Sequence, residues 1–399
     1  MKSYKMEAKK LHFVHFVIDD KFIHDSIRCF QMANLTENNF YCISRKIKGH
    51  NYLDKEEVEF IPPVSLNAFI ENLKVDDVVV LHSLYAMPAD FICKIPHVVK
   101  IIWYGWGFDL YSNDYPIKPL IPFENGRLLP KTKEKIGPFL FMNKIFKRLK
   151  FQSKINNFKS NSADIIYRAI SRIDFFAGVF PSEYDLLKKH CPYFHAKQLT
   201  HNYIHPEEFD IKDIDNIKKI NGHNILLGNS AAYLCNHLDI MYTLFNKTTI
   251  RDYNIYCPLS YDGNMFYIKM VIKEGKKLFG DRFKPMLNYL PFDEYTKIIQ
   301  SCNSVILGYE QQSATCTCLT SLWNGLKVFV PKDSMNYNEY RNQEGLEIYS
   351  IEDDLDDSTI SMCMSNCLIE QRKKISSIYS YNRWQEDLQD AINILRAEI

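Results

Sequence analysis

Short apolar runs alternate with longer stretches of helical character along the first part of the chain. From residue 11 to Gly107 the apolar runs are LHFVHFV, FYCIS, VEFIP, DVVVLHS and KIIWYGWG, all rich in β-branched or aromatic residues. Runs of this length and composition are typical of strands, and the amphipathic stretches between them are typical of helices. The alternation therefore predicts a parallel sheet whose strands are joined by crossover helices.

The same alternation occurs twice, separated by a polar segment. It continues through DFFAGVF and QLTHNYI, stops at the charged stretch PEEFDIKDIDNIKKINGH, and resumes with NILLGNS, NIYCPLSY, FKPMLNYLP, SVILGYE and KVFVP. The predicted division is an N-terminal domain over 1–205, a linker over 206–222, a C-terminal domain over 223–380 and an amphipathic helix over 381–399. Two Rossmann-like, doubly wound α/β domains in tandem are expected to face a cleft with the carboxyl ends of their strands.

A basic segment interrupts the first domain at about 112–172. Residues 127–172 contain twelve Lys or Arg and two acids, a local charge of about +10 in a chain whose net charge is +1. Within this segment, FLFMNKIFKRLKF interleaves apolar residues with cations. Such a composition is typical of segments that lie on an anionic membrane surface, and it predicts a membrane contact through residues 139–160. A helix that packs on the domain by its apolar side is the alternative.

The overall composition limits the classes of function. Of 399 residues, 46% are apolar and 24% are charged, which is typical of a folded protein, and the net charge of +1 argues against a nucleic-acid partner. The opening residues do not resemble a signal peptide, and no window has the roughly 18 apolar residues of a membrane span. We expect a cytoplasmic protein with 11 reduced cysteines, which are not spaced like the ligands of a zinc site.

Two predicted strand-turn-helix units of the second domain carry small or polar residues at the turn. The first turn is Gly-Asn-Ser at 228–230, and the second is Gln-Gln-Ser-Ala-Thr at 311–315. Backbone N–H groups at such a turn, together with the partial positive charge of the helix start, form an anion site suited to a diphosphate. An ordinary turn at 228–230 and simple helix capping at 311–315 are the alternatives.

Polar and aromatic residues also follow the predicted strands of the first domain. The polar candidates are His15, Asp20, His24, His82 and Asp109. A His or Asp at a strand end can remove the proton from an attacking hydroxyl, whereas a buried polar residue that caps a helix would have no chemical role. The aromatic run 103–111 includes Trp106 and Tyr111, whose rings can stack on sugar faces or pack in the core.

These residues carry a family resemblance. The chain resembles the bacterial TDP-Fuc4NAc:lipid II Fuc4NAc transferases, the 4-alpha-L-fucosyltransferase family or glycosyltransferase family 56. The matching motifs are H-x4-D-x3-H at His15, Asp20 and His24, a strand-end histidine at His82, W-G-x-D-L-Y at 106–111, G-N-S at 228–230 with Asn236 and His237, P-x-x-Y at Pro258 and Tyr261, F-D-x-Y at Phe292, Asp293 and Tyr295, and the pair Gln311 and Gln312. The chain departs from the family after Gln312, where Ser313, Ala314 and Thr315 replace a glycine-rich turn.

The resemblance implies a GT-B fold and a glycosyltransferase. It implies transfer of a deoxy or deoxy-amino sugar from a dTDP- or UDP-linked donor to a polyprenyl-diphosphate-linked oligosaccharide in bacterial surface polysaccharide synthesis. It further implies a peripheral location on the inner face of the cytoplasmic membrane and no metal cofactor. A non-catalytic nucleotide-sugar or glycan-binding subunit and a nucleotide-sugar epimerase are the alternatives.

Each candidate residue receives a role under this hypothesis. The residues expected to orient or deprotonate the acceptor are Asp20, His82 and Asp109. The residues expected to bind the donor are Gly228, Asn229, Ser230, His237, Tyr261, Gln311, Gln312, Ser313 and Thr315. The residues expected to contact the acceptor are His15, His24, Trp106 and Tyr111. No residue is expected to bind a metal.

Overall fold

The computed structural model describes most of the chain and divides it into two compact units. The described ranges are 10–20, 22–44, 52–53, 56–112, 117–124, 126–154, 162–200, 222–249, 251–288, 290–362 and 368–399, with the side chains of 143–154, Phe292 and Asp293 outside the description. The first unit comprises Met1–Pro122, Ile155–His205 and Tyr381–Ile399, and the second comprises Phe123–Lys154 and Pro206–Ser380.

Strands and helices alternate through both units, as the hydrophobic pattern predicts. The strands are β1 (His12–Phe16), β2 (Glu37–Ile43), β3 (Glu59–Ile61), β4 (Asp77–His82), β5 (Lys100–Tyr104), β6 (Phe175–Ala177), β7 (Lys197–Gln198), β8 (Asn224–Leu227), β9 (Ile255–Pro258), β10 (Phe283–Met286), β11 (Cys302–Ile306), β12 (Lys327–Val330) and β13 (Tyr349–Ser350). The helices are α1 (Ile23–Ala33), α2 (Leu66–Glu71), α3 (Ala89–Ile92), α4 (Gly107–Tyr111), α5 (Pro130–Lys154), α6 (Ala163–Arg172), α7 (Ser182–His190), α8 (His237–Lys247), α9 (Met265–Phe279), α10 (Phe292–Gln300), α11 (Thr315–Trp323), α12 (Met335–Tyr337), α13 (Asp357–Ser361), α14 (Leu368–Tyr379) and α15 (Tyr381–Glu398).

The first unit is built on a seven-stranded parallel sheet with the order β3-β2-β1-β4-β5-β6-β7. The central strand β4 reads DVVVLH and is buried along its whole length, which is typical of a parallel strand covered on both faces. The strand order reverses between β1 and β4, so the carboxyl ends of these two strands flank the topological switch point, where doubly wound folds bind ligands.

The second unit repeats this architecture with a six-stranded parallel sheet in the order β10-β9-β8-β11-β12-β13. Its switch point lies between β8 and β11. The two turns that the sequence singles out, 228–230 and 311–315, follow these two strands. The predicted α/β class and doubly wound topology of both units are therefore confirmed, and β13 is an additional strand that the apolar pattern did not reveal.

Two segments belong to a different unit from the one that sequence order suggested. Helix α5 and the residues before it, predicted as part of an insertion in the first domain, are compact with the second unit. The start of that insertion, up to Pro122, and its later part, including α6, belong to the first unit, where α6 precedes β6 as an ordinary crossover helix. The predicted linker 206–222 lies outside the described residues except at Gly222.

Helix α15 confirms the predicted C-terminal amphipathic helix and packs on the core of the first unit. Trp384, Leu388, Ile392 and Leu395 are all buried, at the three- and four-residue spacing of one helix face. The Trp384 ring meets the edge of Phe30 in α1 at a centroid distance of 5.3 Å. The chain thus returns to its first unit after completing the second.

Candidate functional site

The turn after β8 is shaped by a glycine. Gly228 has φ +75°, in the left-handed region that favours glycine, and a Cβ atom there would lie 2.6 Å from Nε2 of His237. The His237 ring therefore packs directly against the backbone of the turn. Only glycine allows the first residue of α8 to approach this closely.

His237 presents a neutral imidazole at the start of α8. The side chain is fully buried, and its Nδ1 lies 3.1 Å from the hydroxyl oxygen of Tyr267. Burial lowers the pKa of His237 to about 3. Within the described part of the chain, Nε2 makes no hydrogen bond. A neutral ring nitrogen at a helix N-terminus suits an anionic ligand if it carries the proton.

A buried tyrosine fixes the same turn from the neighbouring strand end. The hydroxyl of Tyr309 donates to Oδ1 of Asn229 (2.9 Å) and accepts from Sγ of Cys235 (2.6 Å). Ser230 Oγ lies 3.2 Å from the same hydroxyl. Tyr309 follows β11, so this cluster joins the two strand ends at the switch point. Cys235, like every cysteine in the described ranges, is a free thiol, as expected.

Tyr261 lies beside this turn but extends into solvent. Its carbonyl accepts a hydrogen bond from Ala231 N (2.7 Å), and 44% of the residue is exposed. An exposed aromatic ring next to the predicted diphosphate turn is available to a ligand. The placement is compatible with the donor-binding role predicted for Tyr261.

The second turn, 311–315, is held in place by side chains. Gln312 is buried, and its Nε2 donates to Oγ1 of Thr315 (2.8 Å), the first residue of α11. Asn336 clamps the Ser313 backbone, because its Nδ2 donates to Ser313 O (2.8 Å) and its Oδ1 accepts from Ser313 N (3.3 Å). Ala314 adopts φ +56°. Neither Gln312 nor another side chain of this turn caps α11, so the capping alternative is not realised, and Gln312 is instead held inside the turn by Thr315.

Gln311 meets the basic segment. Nη1 of Arg127 donates to Gln311 Oε1 at 2.6 Å. Asn236, the residue immediately before α8, donates from Nδ2 to the carbonyls of Arg127 (3.1 Å) and Gly308 (2.6 Å) and accepts from Leu129 N (2.9 Å). One buried asparagine thereby ties residues 127–129 to the carboxyl end of β11.

The same segment is anchored a second time at the start of α5. Both carboxylate oxygens of Asp239 accept hydrogen bonds from the α5 backbone, from Lys131 N and Thr132 N, each at 2.8 Å. A carboxylate at a helix N-terminus also interacts favourably with the helix dipole. Ile136 is buried in the second unit's core, so the predicted alternative of a helix packed by its apolar side holds for the first turns of α5.

These contacts enclose a cavity of about 660 Å³ inside the second unit. Its lining residues are Gly126, Leu128, Leu129, Pro130, Lys133, Glu134, Glu310, Pro331, Lys332, Asp333 and Glu352. One wall is the basic segment, and the opposite wall follows the carboxyl ends of β11, β12 and β13. Sequence reasoning missed this cavity, although Glu310 directly follows the predicted strand SVILGY and could have been singled out.

Glu310 has unusual acid–base properties within this cavity. Burial raises the pKa of Glu310 to about 7, and the charges of Glu352 and Asp333 add to the rise. Its carboxyl group is therefore partly protonated at neutral pH and can either donate or accept a hydrogen bond. Such a group in a cavity is a candidate for ligand binding.

In the first unit, two predicted histidines form a buried pair. His15 lies inside β1 and not after it. Its Nδ1 is 2.9 Å from Nε2 of His82, and neither histidine is exposed to solvent. His15 also stacks on Phe40 at a centroid distance of 4.3 Å, and burial lowers its pKa to about 3. Side chains along β1 point alternately to the two faces of the sheet, and the His15 side chain points into the core. It therefore cannot contact an acceptor directly.

Asp109 is a buried structural acceptor. Its Oδ1 accepts from Ser83 Oγ (2.7 Å), and its Oδ2 accepts from Leu84 N, Trp103 Nε1 and Trp106 N, each at 3.1 Å. Burial raises the pKa of Asp109 to about 6, while these hydrogen bonds lower it. With four donors on one carboxylate, this is the helix-capping alternative, and we assign Asp109 a positioning role rather than that of a base.

The other candidates of the first unit divide into partly exposed and buried ones. Asp20 is partly exposed and accepts from Phe22 N (3.2 Å) just before α1. His24 is exposed and pairs with Glu57 (3.0 Å). Tyr111 is buried, and its hydroxyl donates to Glu183, so it fastens α4 to α7 instead of stacking on a sugar. Among the three proposed acid–base residues, Asp20 alone retains solvent access.

An exposed aromatic pair occupies the same edge of the first sheet. The rings of Tyr85 and Phe108 stack with centroids 6.2 Å apart and 25° between planes, and 47% and 37% of these residues are exposed. Trp106, which is nearly buried, packs behind Phe108 at 5.6 Å. The exposed rings at this edge are therefore those of Tyr85 and Phe108, which sequence reasoning did not select, whereas Trp106 is buried.

The described residues contain no cluster of three His, Cys, Asp or Glu side chains arranged to hold a metal ion. Among the helices that are described, none is long and apolar enough to cross a membrane.

Solved structures of similar architecture are glycosyltransferases or bear sugar nucleotides. HepE from Anabaena in complex with UDP and glucose matches with a TM-score of 0.58 and 7% identity, over 96% of this chain and 99% of that one. An E. coli structure described as trehalose-6-phosphate bound with UDP-2-fluoro glucose matches with a TM-score of 0.57 and 10% identity, over 96% and 98%. A glycosyltransferase from Rickettsia africae matches with a TM-score of 0.60 and 10% identity, over 96% and 98%. At these identities the similarity shows the fold, which is GT-B.

The sequence itself matches a family model. The family described as 4-alpha-L-fucosyltransferase, glycosyl transferase group 56, matches residues 171–393, which is more than half of the chain. No curated protein matches the sequence. The matched range contains both turns of the second unit but not the basic segment, whose residues form one wall of the cavity.

Proposed function

We propose a donor site for this chain, which belongs to the 4-alpha-L-fucosyltransferase family, glycosyl transferase group 56. In this proposal the glycosyltransferase takes its sugar from a nucleoside-diphosphate donor that the second unit binds. The proposed donor is a dTDP- or UDP-linked deoxy or deoxy-amino sugar. The proposed acceptor is a polyprenyl-diphosphate-linked oligosaccharide of a bacterial surface polysaccharide. The cavity between the basic segment and the carboxyl ends of β11, β12 and β13 is the observation that carries the proposal.

The size and lining of this cavity suit a nucleotide. A volume of about 660 Å³ falls within the range of small-molecule and cofactor sites. Glu310 at its wall can accept a hydrogen bond from a ribose or deoxyribose hydroxyl when it is ionised, as acidic residues do in other doubly wound folds. The diphosphate would then lie toward the turns 228–230 and 311–315, where helices α8 and α11 begin.

The transfer reaction requires one bond to break and one to form. The bond between the anomeric carbon and the oxygen of the distal phosphate breaks, and its electron pair stays on the nucleoside diphosphate. The acceptor hydroxyl oxygen forms the new bond to the anomeric carbon and releases its proton. The leaving diphosphate gains one negative charge, so groups that stabilise this charge provide much of the rate enhancement. We propose that this needs no bound metal, and we expect turnover to survive a chelator.

A panel of ligands tests the donor proposal. We expect UDP or dTDP to raise the melting temperature of the protein, because a ligand that binds only the folded state stabilises it, while GDP and CMP leave it unchanged. Turnover of the matching nucleotide sugar with a lipid-linked acceptor should follow. Affinity for the nucleoside should increase between pH 6 and pH 8, as Glu310 ionises around its raised pKa of about 7. Glu310→Gln should remove this pH dependence, and no response to any nucleotide would refute the proposal.

The membrane contact is proposed for the exposed apolar residues of α5. Phe141 and Met142 are 67% and 56% exposed on this basic helix. At the start of α9, Phe266 is 52% exposed and stacks on Phe139 with centroids 5.7 Å apart. Exposed apolar side chains among cations are typical of surfaces that bind anionic membranes.

Vesicle binding tests this contact. The double substitution Phe141→Glu, Met142→Glu should reduce binding to vesicles of phosphatidylglycerol at least about tenfold, because it removes apolar area and adds repulsive charge. The control Val64→Glu changes a residue that is 89% exposed in the first unit and should bind like the parent protein. Equal vesicle affinity of parent and double variant would exclude α5 as the contact.

A further inference from the structure

We infer that Arg127, contributed by the basic segment, is the cation that binds the donor diphosphate and stabilises it as it leaves. The inference rests on the proposed function and names a residue of that site. Neither of the turns 228–230 and 311–315 contains a cationic side chain. A diphosphate that gains negative charge during transfer is best stabilised by a preorganised cation.

The position of Arg127 follows from two independent anchors. Its carbonyl accepts from Asn236 Nδ2 (3.1 Å), which places the Arg127 backbone next to the start of α8. Its guanidinium donates to Gln311 Oε1 (2.6 Å), in the turn before α11. Arg127 therefore lies between the start of α8 and the turn 311–315. A diphosphate bound at the starts of α8 and α11 would lie close to this guanidinium.

The surrounding structure holds the segment rigidly enough for this role. Asp239 caps α5 through Lys131 N and Thr132 N, and Asn236 also accepts from Leu129 N. The backbone from Arg127 to Thr132 is thus held by one buried and three partly buried hydrogen bonds, which reduces the backbone entropy that is lost when a ligand binds. The residues on either side, Gly126 and Leu128, line the cavity proposed for the nucleoside.

The chemistry of a guanidinium suits this position better than that of the two cavity lysines. Lys332 forms an ion pair with Asp353 at 2.5 Å, and Lys133 is an exposed side chain on α5. A guanidinium presents its donors as a planar fork that can bind two phosphate oxygens at once, whereas an ammonium is a point charge. Gln311 is then a positioning residue that orients the fork.

Calorimetric affinities for UDP, UMP and uridine, and for dTDP, dTMP and thymidine, test the inference. Arg127→Gln should weaken binding of the diphosphate about ten- to hundredfold, the loss expected when hydrogen bonds to a charged group are removed, and should leave nucleoside affinity unchanged. Arg127→Lys should fall between the parent and Arg127→Gln. The control Lys135→Gln removes one charge from the same basic segment, in α5, at a side chain that is 56% exposed and paired with Glu134, and it should bind all ligands like the parent.

The outcomes separate this inference from the proposed function. If the parent binds the diphosphates and Arg127→Gln binds them equally well, Arg127 is not the cation, and the donor proposal still stands. If Arg127→Gln loses nucleoside and diphosphate affinity to the same extent, Arg127 only supports the cavity wall and the inference fails. If the parent binds none of these ligands, the proposed function and the inference both fail. Melting temperatures without ligand show whether each variant is folded.

Discussion

Replacing Asp109 with alanine is expected to lower the free energy of unfolding by about 4 kcal/mol and to reduce the yield of folded protein sharply. The carboxylate is 2% exposed and accepts from Ser83 Oγ, Leu84 N, Trp103 Nε1 and Trp106 N. Each buried donor that loses its acceptor costs about 1–3 kcal/mol, and the relief of burying a charge offsets part of the sum. Chemical denaturation of parent and variant measures the difference.

Two further variants show whether the carboxylate itself is needed. Asp109→Asn preserves shape but turns an NH2 group toward hydrogen-bond donors, so we expect it to lose most of the stability that alanine loses. The control Asp25→Ala changes a carboxylate that is 68% exposed in α1, and its free energy of unfolding should lie within about 0.5 kcal/mol of the parent value. A fully stable Asp109→Asn protein without transfer activity would contradict the positioning role and restore Asp109 as a candidate base.

Asp109 also supports a strained residue at the switch point of the first unit. Ser83 follows β4 with φ +101° and ψ +145°, a combination that is almost confined to glycine. Its Oγ donates to Asp109 and accepts from Tyr85 N (3.0 Å), so side-chain contacts hold the backbone in this conformation. Strain of this kind concentrates at functional sites. The strained turn leads directly to Tyr85, one of the two exposed aromatic residues on this edge.

The hydrophobic pattern was sufficient to predict the two sheets but not which core each segment joins. Strands such as DVVVLH are recognisable because a parallel strand covered on both faces is apolar throughout. Helix α5 is also recognisable from the sequence. However, it packs on the second unit through hydrogen bonds to Asn236 and Asp239, which lie more than 80 residues later in the sequence. Nothing in the local composition of α5 records those contacts, so sequence order assigned it to the wrong unit.

The sequence predicted where some candidate site residues lie in the fold, but it did not predict what each side chain does there. The turn 228–230 was found because glycine and small polar residues end a buried strand, and the structure places it at the switch point. His15 and Asp109 have the same residue types as catalytic groups, yet both are buried and fully engaged in contacts. Whether a His or Asp faces solvent depends on side-chain packing that residue type alone does not encode. Arg127 carried no local signal, since it is one of twelve cations in its segment.

Replacing Asn236 with alanine is expected to lower the free energy of unfolding by about 3 kcal/mol and to weaken diphosphate binding more than about tenfold. The buried amide donates to Gly308 O (2.6 Å), Arg127 O (3.1 Å) and Leu234 O (3.2 Å) and accepts from Leu129 N (2.9 Å), so alanine leaves four backbone groups without this partner. Asn236 also has φ +51°, which asparagine tolerates better than alanine. Denaturation and calorimetry with UDP and dTDP measure the two losses.

Matched substitutions separate the backbone conformation from the amide contacts. Asn236→Gly retains the left-handed backbone and loses the side chain, so we expect it to be more stable than Asn236→Ala but equally poor in diphosphate binding. Asn236→Asp retains the acceptor for Leu129 N but places a carboxylate against three carbonyl oxygens, and it should be destabilised as well. The control Asn342→Ala alters an exposed asparagine whose Nδ2 donates to Oδ1 of Asn338 (3.2 Å), four residues earlier, and should change neither quantity. If Asn236→Gly bound diphosphates as tightly as the parent, the basic segment would be dispensable for the donor, and the cation would have to come from elsewhere in the chain.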